Sequence, residues 1–226
     1  FTGLYQRQTK HPDVNRLNAR YHRSTNSKHG MMIKKSLILI LLMSTLAAMA
    51  QKTVEPRELE EKSGVFYQKG SQVPYTGMAV ALFPDGSKQM ETPYLNGKQN
   101  GLETAWYPDG AIMMEITYRD GEFNGPYRFH YPGGSLEYEK IYAGGLMNGP
   151  SVHYYADGKK EVEGTYTDCR ETGTWTYYHP NGIKMKEGSF KLGFEDGKWQ
   201  FWNEKAEAVK TVIYKSGEIV SEQNSK

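Results

Sequence analysis

Three histidines beyond residue 50 are the side chains best suited to metal binding or base catalysis. They are His130, His153 and His179. A metal site or an activated nucleophile needs such groups clustered with cysteines, acids or hydroxyls in a recognisable motif. We find no such motif, and equivalent positions of a repeated pattern carry Trp or Tyr. We therefore interpret the histidines as substitutions in aromatic strand positions. We expect no catalytic residue, no metal and no cofactor, and a protein that is not an enzyme.

A carboxylate recurs every 24 residues, a pattern that suggests a ladder of cation ligands. The members are Glu91, Glu115, Glu139, Glu163 and Glu187. If each repeat is a hairpin, neighbouring members lie two strands apart, about 10 Å. Shared calcium ligands sit about 2.3–2.6 Å from the ion, so this spacing is too wide. We interpret the column as a solvated row that meets Lys and Arg across strands.

Repeated aromatic side chains are the one feature that could carry recognition. The chain holds 17 Tyr, 8 Phe and 4 Trp among 226 residues. Trp and Tyr give a large contact area and are enriched at interfaces. The alternative is that the same rings form the only core of the sheet. The candidate binding residues are Trp106, Tyr107, Tyr131, Tyr154, Tyr155, Tyr177, Tyr178 and Trp202.

Adjacent tyrosines occur among the candidates, as Tyr154–Tyr155 and Tyr177–Tyr178. Successive side chains of a strand point to opposite faces. One member of each pair can therefore be structural while the other stays accessible. The sequence does not say which face is which.

The single thiol, Cys169, stands where other copies of the repeat have a turn glycine. One Cys excludes an intramolecular disulfide framework and any Cys-rich metal site. In an oxidising compartment it could pair between chains; the alternative is an unpaired residue with no such role.

The elements that must position these residues follow from a repeat of 24 residues. Its first glycine recurs six times without slippage: Gly77, Gly101, Gly125, Gly149, Gly173 and Gly197. A second glycine follows nine positions later in five copies, usually after Pro-Asp or a relative, and Ala206 replaces it in the sixth. Large side chains alternate at period two between these glycines, which indicates strands. Pro-Asp-Gly and Asn-Gly pairs supply the turns.

The fold class predicted is all-β. We expect an elongated array of about six 24-residue β-hairpins over residues 77–220, forming a single-layer twisted antiparallel sheet. Residues 51–76 would cap the array at its start, with a short helix or loop near 54–61 and a strand at 65–67. We expect residues 221–226 to be a frayed polar tail.

The first fifty residues differ from the rest. Residues 1–30 are basic and lack apolar periodicity, so we expect an upstream, untranslated or disordered segment; the alternative is a basic tail that binds an acidic partner. Residues 31–50 have the three parts of a signal peptide: Lys34-Lys35, an apolar run, and Ala48-Met49-Ala50 before Gln51. We predict cleavage between Ala50 and Gln51, with an uncleaved anchor as the alternative. The mature protein would be periplasmic or secreted from a bacterium, with no transmembrane segment.

The charge balance changes when the predicted signal peptide is removed. The whole chain has 28 Lys+Arg and 26 Asp+Glu, of which residues 1–50 hold 8 and 1. Residues 51–226 therefore keep 20 basic and 25 acidic side chains, a formal net charge of −5. A mildly acidic exported protein is a poor candidate for binding nucleic acid or an anionic membrane surface.

Two stretches carry a family resemblance. Residues 101–110 (GLETAWYPDG) and 173–182 (GTWTYYHPNG) resemble the MORN repeat, and more closely its bacterial variant found in YwqK-type antitoxins. The stretch GVFYQKG at 64–70, followed by PYTG at 74–77, is similar to the start of that family's repeat region, so the resemblance covers residues 63–220. It implies an elongated single-layer sheet of successive hairpins.

We therefore expect an exported, non-enzymatic repeat protein that acts as a protein-binding or scaffold module. Its partner would be a protein lying along the sheet or pairing with a free edge strand. The alternative is a cell-envelope glycan-binding protein that uses the repeated aromatic face.

Overall fold

The computed structural model describes residues 52–225. The expected segment 1–30, the predicted signal peptide 31–50 and the cleavage position Ala50–Gln51 lie outside the described residues. No helix within 52–225 is long and apolar enough to cross a bilayer.

A small capping unit precedes the repeats. It consists of strand β1, Thr53–Val54, a 3₁₀ turn at Pro56–Glu58, and a hairpin of β2, Leu59–Lys62, with β3, Val65–Gln68. The expected helix or loop near 54–61 is thus one 3₁₀ turn between two short strands. Pro56 stands at the first position of the turn, where the missing N–H costs nothing and the fixed φ suits a helical start. The expected strand at 65–67 is confirmed as β3.

The remaining strands form the repeat array. They are β4 Gly77–Leu82, β5 Lys88–Leu95, β6 Lys98–Gln99, β7 Gly101–Trp106, β8 Ile112–Arg119, β9 Glu122–His130, β10 Leu136–Ala143, β11 Leu146–Tyr154, β12 Lys160–Thr167, β13 Arg170–Tyr178, β14 Lys184–Lys191, β15 Phe194–Trp202, β16 Ala208–Lys215 and β17 Glu218–Asn224.

These strands join one long twisted sheet of 15 strands. From β4 onward each strand pairs with the next long strand of the chain, while β6 pairs only with β5 and the edge strand β1 joins β4 in parallel. The hairpin β2–β3 forms a separate two-stranded sheet. The all-β, single-sheet hairpin repeat predicted from the sequence is confirmed.

Two kinds of turn alternate along the array. At one side, two consecutive residues have positive φ, as in Asn96-Gly97 and Asp120-Gly121, the geometry of a type I′ hairpin turn. At the other side stand the Pro-Asp-Gly turns, in which Gly110 has φ of 86° and the Asp109 carboxylate accepts from the Ala111 N–H. Side chains other than Asn and Asp rarely adopt φ near 86°, so the expected role of Gly110 is confirmed.

The last strand corrects one boundary. Residues 221–224, which we expected to be frayed, continue β17 and pair with β16 from Ile213 to Lys210. The ammonium of Lys210 also lies 3.3 Å from the Glu222 carboxylate. Backbone pairing therefore holds a segment whose polar composition predicted disorder.

Candidate binding surface

The two faces of the sheet are chemically different. One, the ring face, carries a chain of contacting aromatic rings; Trp175, for example, meets Tyr166 and Phe190 edge-on with ring centroids 5.1 and 5.8 Å apart. The other, the carboxylate face, carries Glu91, Glu115, Glu139, Glu163 and Glu187. A single-layer sheet must bury its apolar surface within itself, and here it does so on the ring face.

Two tryptophans form the centre of the ring face. Trp199 is 1% exposed and Trp175 is 5% exposed, although no second layer covers them. Each indole lies flat over a glycine of the preceding strand, Gly188 and Gly164, at which any Cβ would overlap the ring. A glycine inside a strand 11 residues before a Trp was the available sequence signal, since such glycines mark a close approach.

The capping unit covers the start of the ring face. Tyr75 is buried, and its hydroxyl lies within donating distance of two backbone carbonyls, 2.8 Å from that of Lys52 and 2.9 Å from that of Met78. Tyr94 packs edge-on against both Phe66 and Tyr75. The segment before the repeats therefore packs on the ring face, which leaves the carboxylate face open along the described sheet.

Of the eight candidate residues, only Tyr177 belongs to the ring face. Its ring centroid lies 6.3 Å from that of Trp199, and the Lys186 ammonium lies 4.1 Å above its ring. Burial raises the pKa of the Tyr177 hydroxyl and lowers the pKa of Lys186. Tyr177 is thus part of the core, and partner binding through it remains a prediction.

Three further candidates tie neighbouring repeats together. The hydroxyls of Tyr107, Tyr131 and Tyr155 donate to a backbone carbonyl 23 residues later, at distances of 2.7, 2.9 and 2.7 Å. In the next copy His179 fills the position, and its Nε2 lies 3.0 Å from the Trp202 carbonyl. These four side chains therefore have a structural role at the Pro-Asp-Gly side of the sheet. Partner binding through the three tyrosines remains a prediction.

The remaining four candidates share the carboxylate face. We call them the outer row: Trp106, Tyr154, Tyr178 and Trp202. All four are half-buried, and none takes part in the ring-to-ring contacts of the described residues. The sheet therefore places Tyr177 and Tyr178 on opposite faces, as the alternation predicted, and both side chains are half-buried.

Irregularities in strand pairing lie beside the outer row. The ladder shifts register immediately before each member, between Ala105 and Trp106 in the first case and between Tyr177 and Tyr178 in the third. The same shift precedes Tyr154 and Trp202. At each shift the extra residue lies on the following strand, so the members of the outer row keep the period-two alternation of their own strands. The bulge therefore adds local twist beside the outer row, and its position could not be read from that alternation.

The carboxylates beside the outer row are neutralised locally. Glu91, Glu163 and Glu187 each accept from a Lys three residues earlier on the same strand, at 2.5–2.6 Å. Glu139 meets Arg128 directly across the strands. The interpretation as a row paired across strands therefore holds only for Glu139.

Tyr178 links the outer row to this carboxylate row. Its hydroxyl donates to Oε1 of Glu163. The Lys160 ammonium, and next the Tyr178 hydroxyl, lower the pKa of Glu163. Burial, reinforced by this carboxylate, raises the pKa of Tyr178 to about 12. Tyr178 is therefore a neutral hydrogen-bond donor on the carboxylate face.

A cleft of about 570 Å³ lies at the Trp202 end of the outer row. Its lining brings the indole together with the polar side chains of Thr174, Glu187, Lys198 and Gln200. The arrangement offers one aromatic ring surrounded by hydrogen-bonding groups. It contains no nucleophile paired with a base.

The histidines stand apart from one another. His130 Nε2 lies 3.7 Å from Glu115 on the carboxylate face, while His153 stacks on Tyr138 on the ring face. No group of three metal-ligating side chains occurs within residues 52–225.

Three hairpins of the chain are similar in sequence to a known family of repeats. Three segments match the family model of the MORN repeat variant. They are residues 99–120, 147–168 and 171–192. Each segment contains both strands of one hairpin and the turn between them. No curated protein matches the chain.

The matched segments contain most of the candidate surface. Trp106, Tyr154 and Tyr178 lie within them, whereas Trp202 lies beyond the last. MORN repeats are generally modules that bind proteins or membranes, and their all-β repeat fold is typically non-catalytic. The chain is therefore similar, over three of its hairpins, to a binding module.

Proposed function

We propose that this chain is an exported, non-enzymatic scaffold that holds another protein along its carboxylate face through the outer row. The observation that carries the proposal is the recurrence of a half-buried Trp or Tyr on one open face, at equivalent positions of four hairpins. His130 takes that position in the hairpin between Trp106 and Tyr154. We further propose that the mature protein starts at Gln51 and acts in the periplasm or outside a bacterial cell.

The outer row suits an extended partner. Equivalent residues of adjacent hairpins are two strands apart, about 10 Å. A partner spanning Tyr154, Tyr178 and Trp202 would therefore need about 20 Å of continuous surface, which a protein segment provides. Large rings with one polar edge contribute contact area at low entropic cost, so each member would add a similar increment of affinity.

The resemblance of residues 63–220 to YwqK-type antitoxins supports a protein as the partner. The local neutralisation of the carboxylates supports the same partner class. A face of paired charges and aromatic rings favours neither polyanions nor strongly basic ligands, and suits the mixed surface of another protein.

A cell-envelope glycan is the second candidate, and the Trp202 cleft favours it. A sugar ring stacks on an indole while its hydroxyls bond to neighbouring amide, carboxylate and hydroxyl groups. Thr174, Glu187 and Gln200 offer such groups in the same cleft. A glycan bound there would depend on Trp202 far more than on Tyr154.

The deciding experiment combines the three variants Tyr154→Ala, Tyr178→Ala and Trp202→Ala. Affinity for the protein cross-linked by the wild type, and for isolated cell-wall polysaccharide, is measured beside a melting curve. Tyr178→Ala alone should weaken protein binding less than about tenfold, and the triple variant by about a hundredfold or more. The matched control, Tyr107→Phe, removes one hydroxyl outside the outer row and should keep its affinity.

Two results would contradict the proposal. If the triple variant unfolds, the outer row belongs to the core of the sheet and is not a free binding surface. Unchanged affinity in a folded triple variant would place binding on the ring face or at the sheet edges. Loss of polysaccharide binding through Trp202→Ala alone would favour the glycan.

N-terminal sequencing of the exported protein tests the start at Gln51, and an intact Met31 or Met32 would contradict it.

A further inference from the structure

One hairpin end departs from the turn pattern of the other repeats. The first residue of each type I′ turn has positive φ and is small or polar in five of six copies. The six are Asn96, Asp120, Gly144, Asp168, Leu192 and Ser216. Leu192 has φ of 55° and is 63% exposed.

A leucine is a poor choice here on two counts. Positive φ costs an L-residue roughly 1–2 kcal/mol relative to Gly, and Asn tolerates it better than Leu. The exposed isobutyl group also buries nothing in return. A strained residue that breaks a local rule without a packing gain is expected at functional positions.

The surroundings of Leu192 form a cleft with apolar walls. Phe194, two residues later, is 57% exposed and its ring packs against the Gly217 turn of the next hairpin. The cleft has a volume of about 620 Å³ and is lined by both apolar side chains. Two large exposed apolar groups therefore flank one concavity at the type I′ side of the sheet.

The same cleft is rich in unpaired positive charge. Arg170, Lys191 and Lys215 line it, and none of the three forms a salt bridge with any residue of the described part of the chain. Asp196 is the only carboxylate in its lining. The lining therefore has a formal charge of +2, in a mature chain whose net charge is −5.

We propose that this cleft docks an acidic protein segment with an apolar anchor residue. The anchor would lie between Leu192 and Phe194, and flanking carboxylates of the partner would pair with Arg170, Lys191 and Lys215. The positive lining favours a partner segment with negative charge. The concave apolar walls favour an apolar side chain that inserts between them. The site is at the hairpin end and uses no member of the outer row, so it goes beyond the proposed function.

An anionic bilayer fits the cleft less well. A bilayer needs apolar groups on a convex tip, whereas Leu192 and Phe194 line a concavity. Asp168 and Glu171 line the adjoining cleft and would be pressed against lipid phosphates. A protein segment avoids both problems, because it can enter the concavity and place its acids selectively.

The test uses labelled ten-residue peptides and the mature chain, residues 51–226. The probe carries one central Phe between Asp and Glu residues. One matched peptide replaces the acids by Asn and Gln, and the other replaces Phe by Ser. Fluorescence anisotropy at two salt concentrations should show the probe binding about tenfold or more tightly than either matched peptide, with weakening at high salt.

Leu192→Asn is the decisive variant because stability and binding should move in opposite directions. Asn suits the positive φ, so the melting temperature should rise or stay equal, while affinity for the probe should fall about tenfold or more. Leu95→Asn removes a leucine exposed elsewhere and should leave probe affinity unchanged. Arg170→Ser with Lys191→Ser should abolish the preference for the acidic peptide over its amide counterpart.

Several outcomes would overturn the proposal. These are absence of probe binding up to millimolar peptide, equal binding of the amide-substituted peptide, and unchanged probe affinity in Leu192→Asn. Loss of vesicle binding in Leu192→Asn, on vesicles with anionic phosphatidylglycerol, would assign the site to a membrane instead. Concentration-dependent self-association lost in the same variant would assign it to a second copy. If the outer-row variants keep their affinity for the partner, the cleft proposal is unaffected, because the cleft contains no outer-row residue. The two proposals can therefore be refuted independently.

Discussion

The indole of Trp199 lies flat across Gly188 of the neighbouring strand, in space that a side chain at 188 would occupy. Its Nε1 donates to the Ser189 carbonyl at 3.2 Å, which fixes the ring over that strand. Trp175 lies over Gly164 one hairpin earlier, but its buried Nε1 has no hydrogen-bond partner within residues 52–225. The single sheet thereby buries large rings without a second layer, and its other face is left free for a partner.

Gly188→Ala should destabilise the protein by about 1–3 kcal/mol, because the added methyl group displaces the Trp199 ring. Chemical denaturation of residues 51–226 measures the loss. In a Trp199→Leu background the same substitution should cost much less, since no ring remains to be displaced. Equal losses in the two backgrounds would show that Gly188 is needed for its backbone and not for the close approach.

Tyr155→Phe should cost about 0.5–1.5 kcal/mol, because the buried Tyr178 carbonyl loses its hydroxyl donor. Tyr154→Phe is the matched control. Its hydroxyl donates no hydrogen bond within residues 52–225, so its stability should change by less than about 0.5 kcal/mol. The urea midpoints of the two variants measure the difference in stability. A larger loss of stability in Tyr154→Phe than in Tyr155→Phe would refute the inter-repeat hydrogen bond.

Glu103 and Glu163 should respond to charge removal with opposite signs. Burial raises the pKa of Glu103, even though the Thr92 hydroxyl donates to its carboxylate at 2.7 Å. The folded state therefore disfavours ionised Glu103, and this penalty is present above the raised pKa and vanishes as the pH falls below 4.5. Glu103→Gln should thus melt a few degrees higher at pH 7, with an advantage that shrinks in acid.

Glu163 supplies the matched comparison. Because its pKa is lowered by Lys160 and Tyr178, ionised Glu163 stabilises the fold above 4.5 and this stability is lost as the pH falls through the lowered pKa. Glu163→Gln should therefore melt lower at pH 7, and its deficit should shrink in acid. Melting curves between pH 3 and 7 test both variants. If both variants change the melting temperature at pH 7 in the same direction, the explanation by burial for Glu103 and by pairing for Glu163 is wrong.

Cys169→Gly should stabilise the protein by about 1 kcal/mol, because Cys169 has φ of 62° in a turn where other repeats place glycine. The weak contact of the Met147 N–H with Sγ, at 3.3 Å, is lost and reduces the gain. Cys169→Ala keeps an L-residue and should show no gain. Both variants should lack any disulfide-linked dimer on a non-reducing gel, and a dimer that persists would exclude Cys169 as its link.

The sequence alone determined the periodic features of this protein. The periodic features are glycines at a fixed spacing of 24, turn residues suited to positive φ, and alternating large side chains. They are local requirements of a hairpin, so each depends only on residues close together in the sequence. The fold class, the two kinds of turn and the opposed directions of Tyr177 and Tyr178 follow from those requirements. The tail was mispredicted because pairing of residues 221–224 with β16 is a contact between strands, not a property of their polar composition.

Only the tertiary structure decided what each aromatic residue does. Trp202 and Trp199 have the same chemistry and lie on opposite faces of β15, yet only Trp199 is almost fully buried, because Gly188 of the neighbouring strand lets its ring pack closely. Tyr154 and Tyr155 are neighbours of the same type, yet only the Tyr155 hydroxyl meets a backbone carbonyl, 23 residues later. These outcomes depend on which residue of the neighbouring strand lies beside each ring. Side-chain alternation within one strand does not fix that relation, because it is a contact between residues distant in the chain.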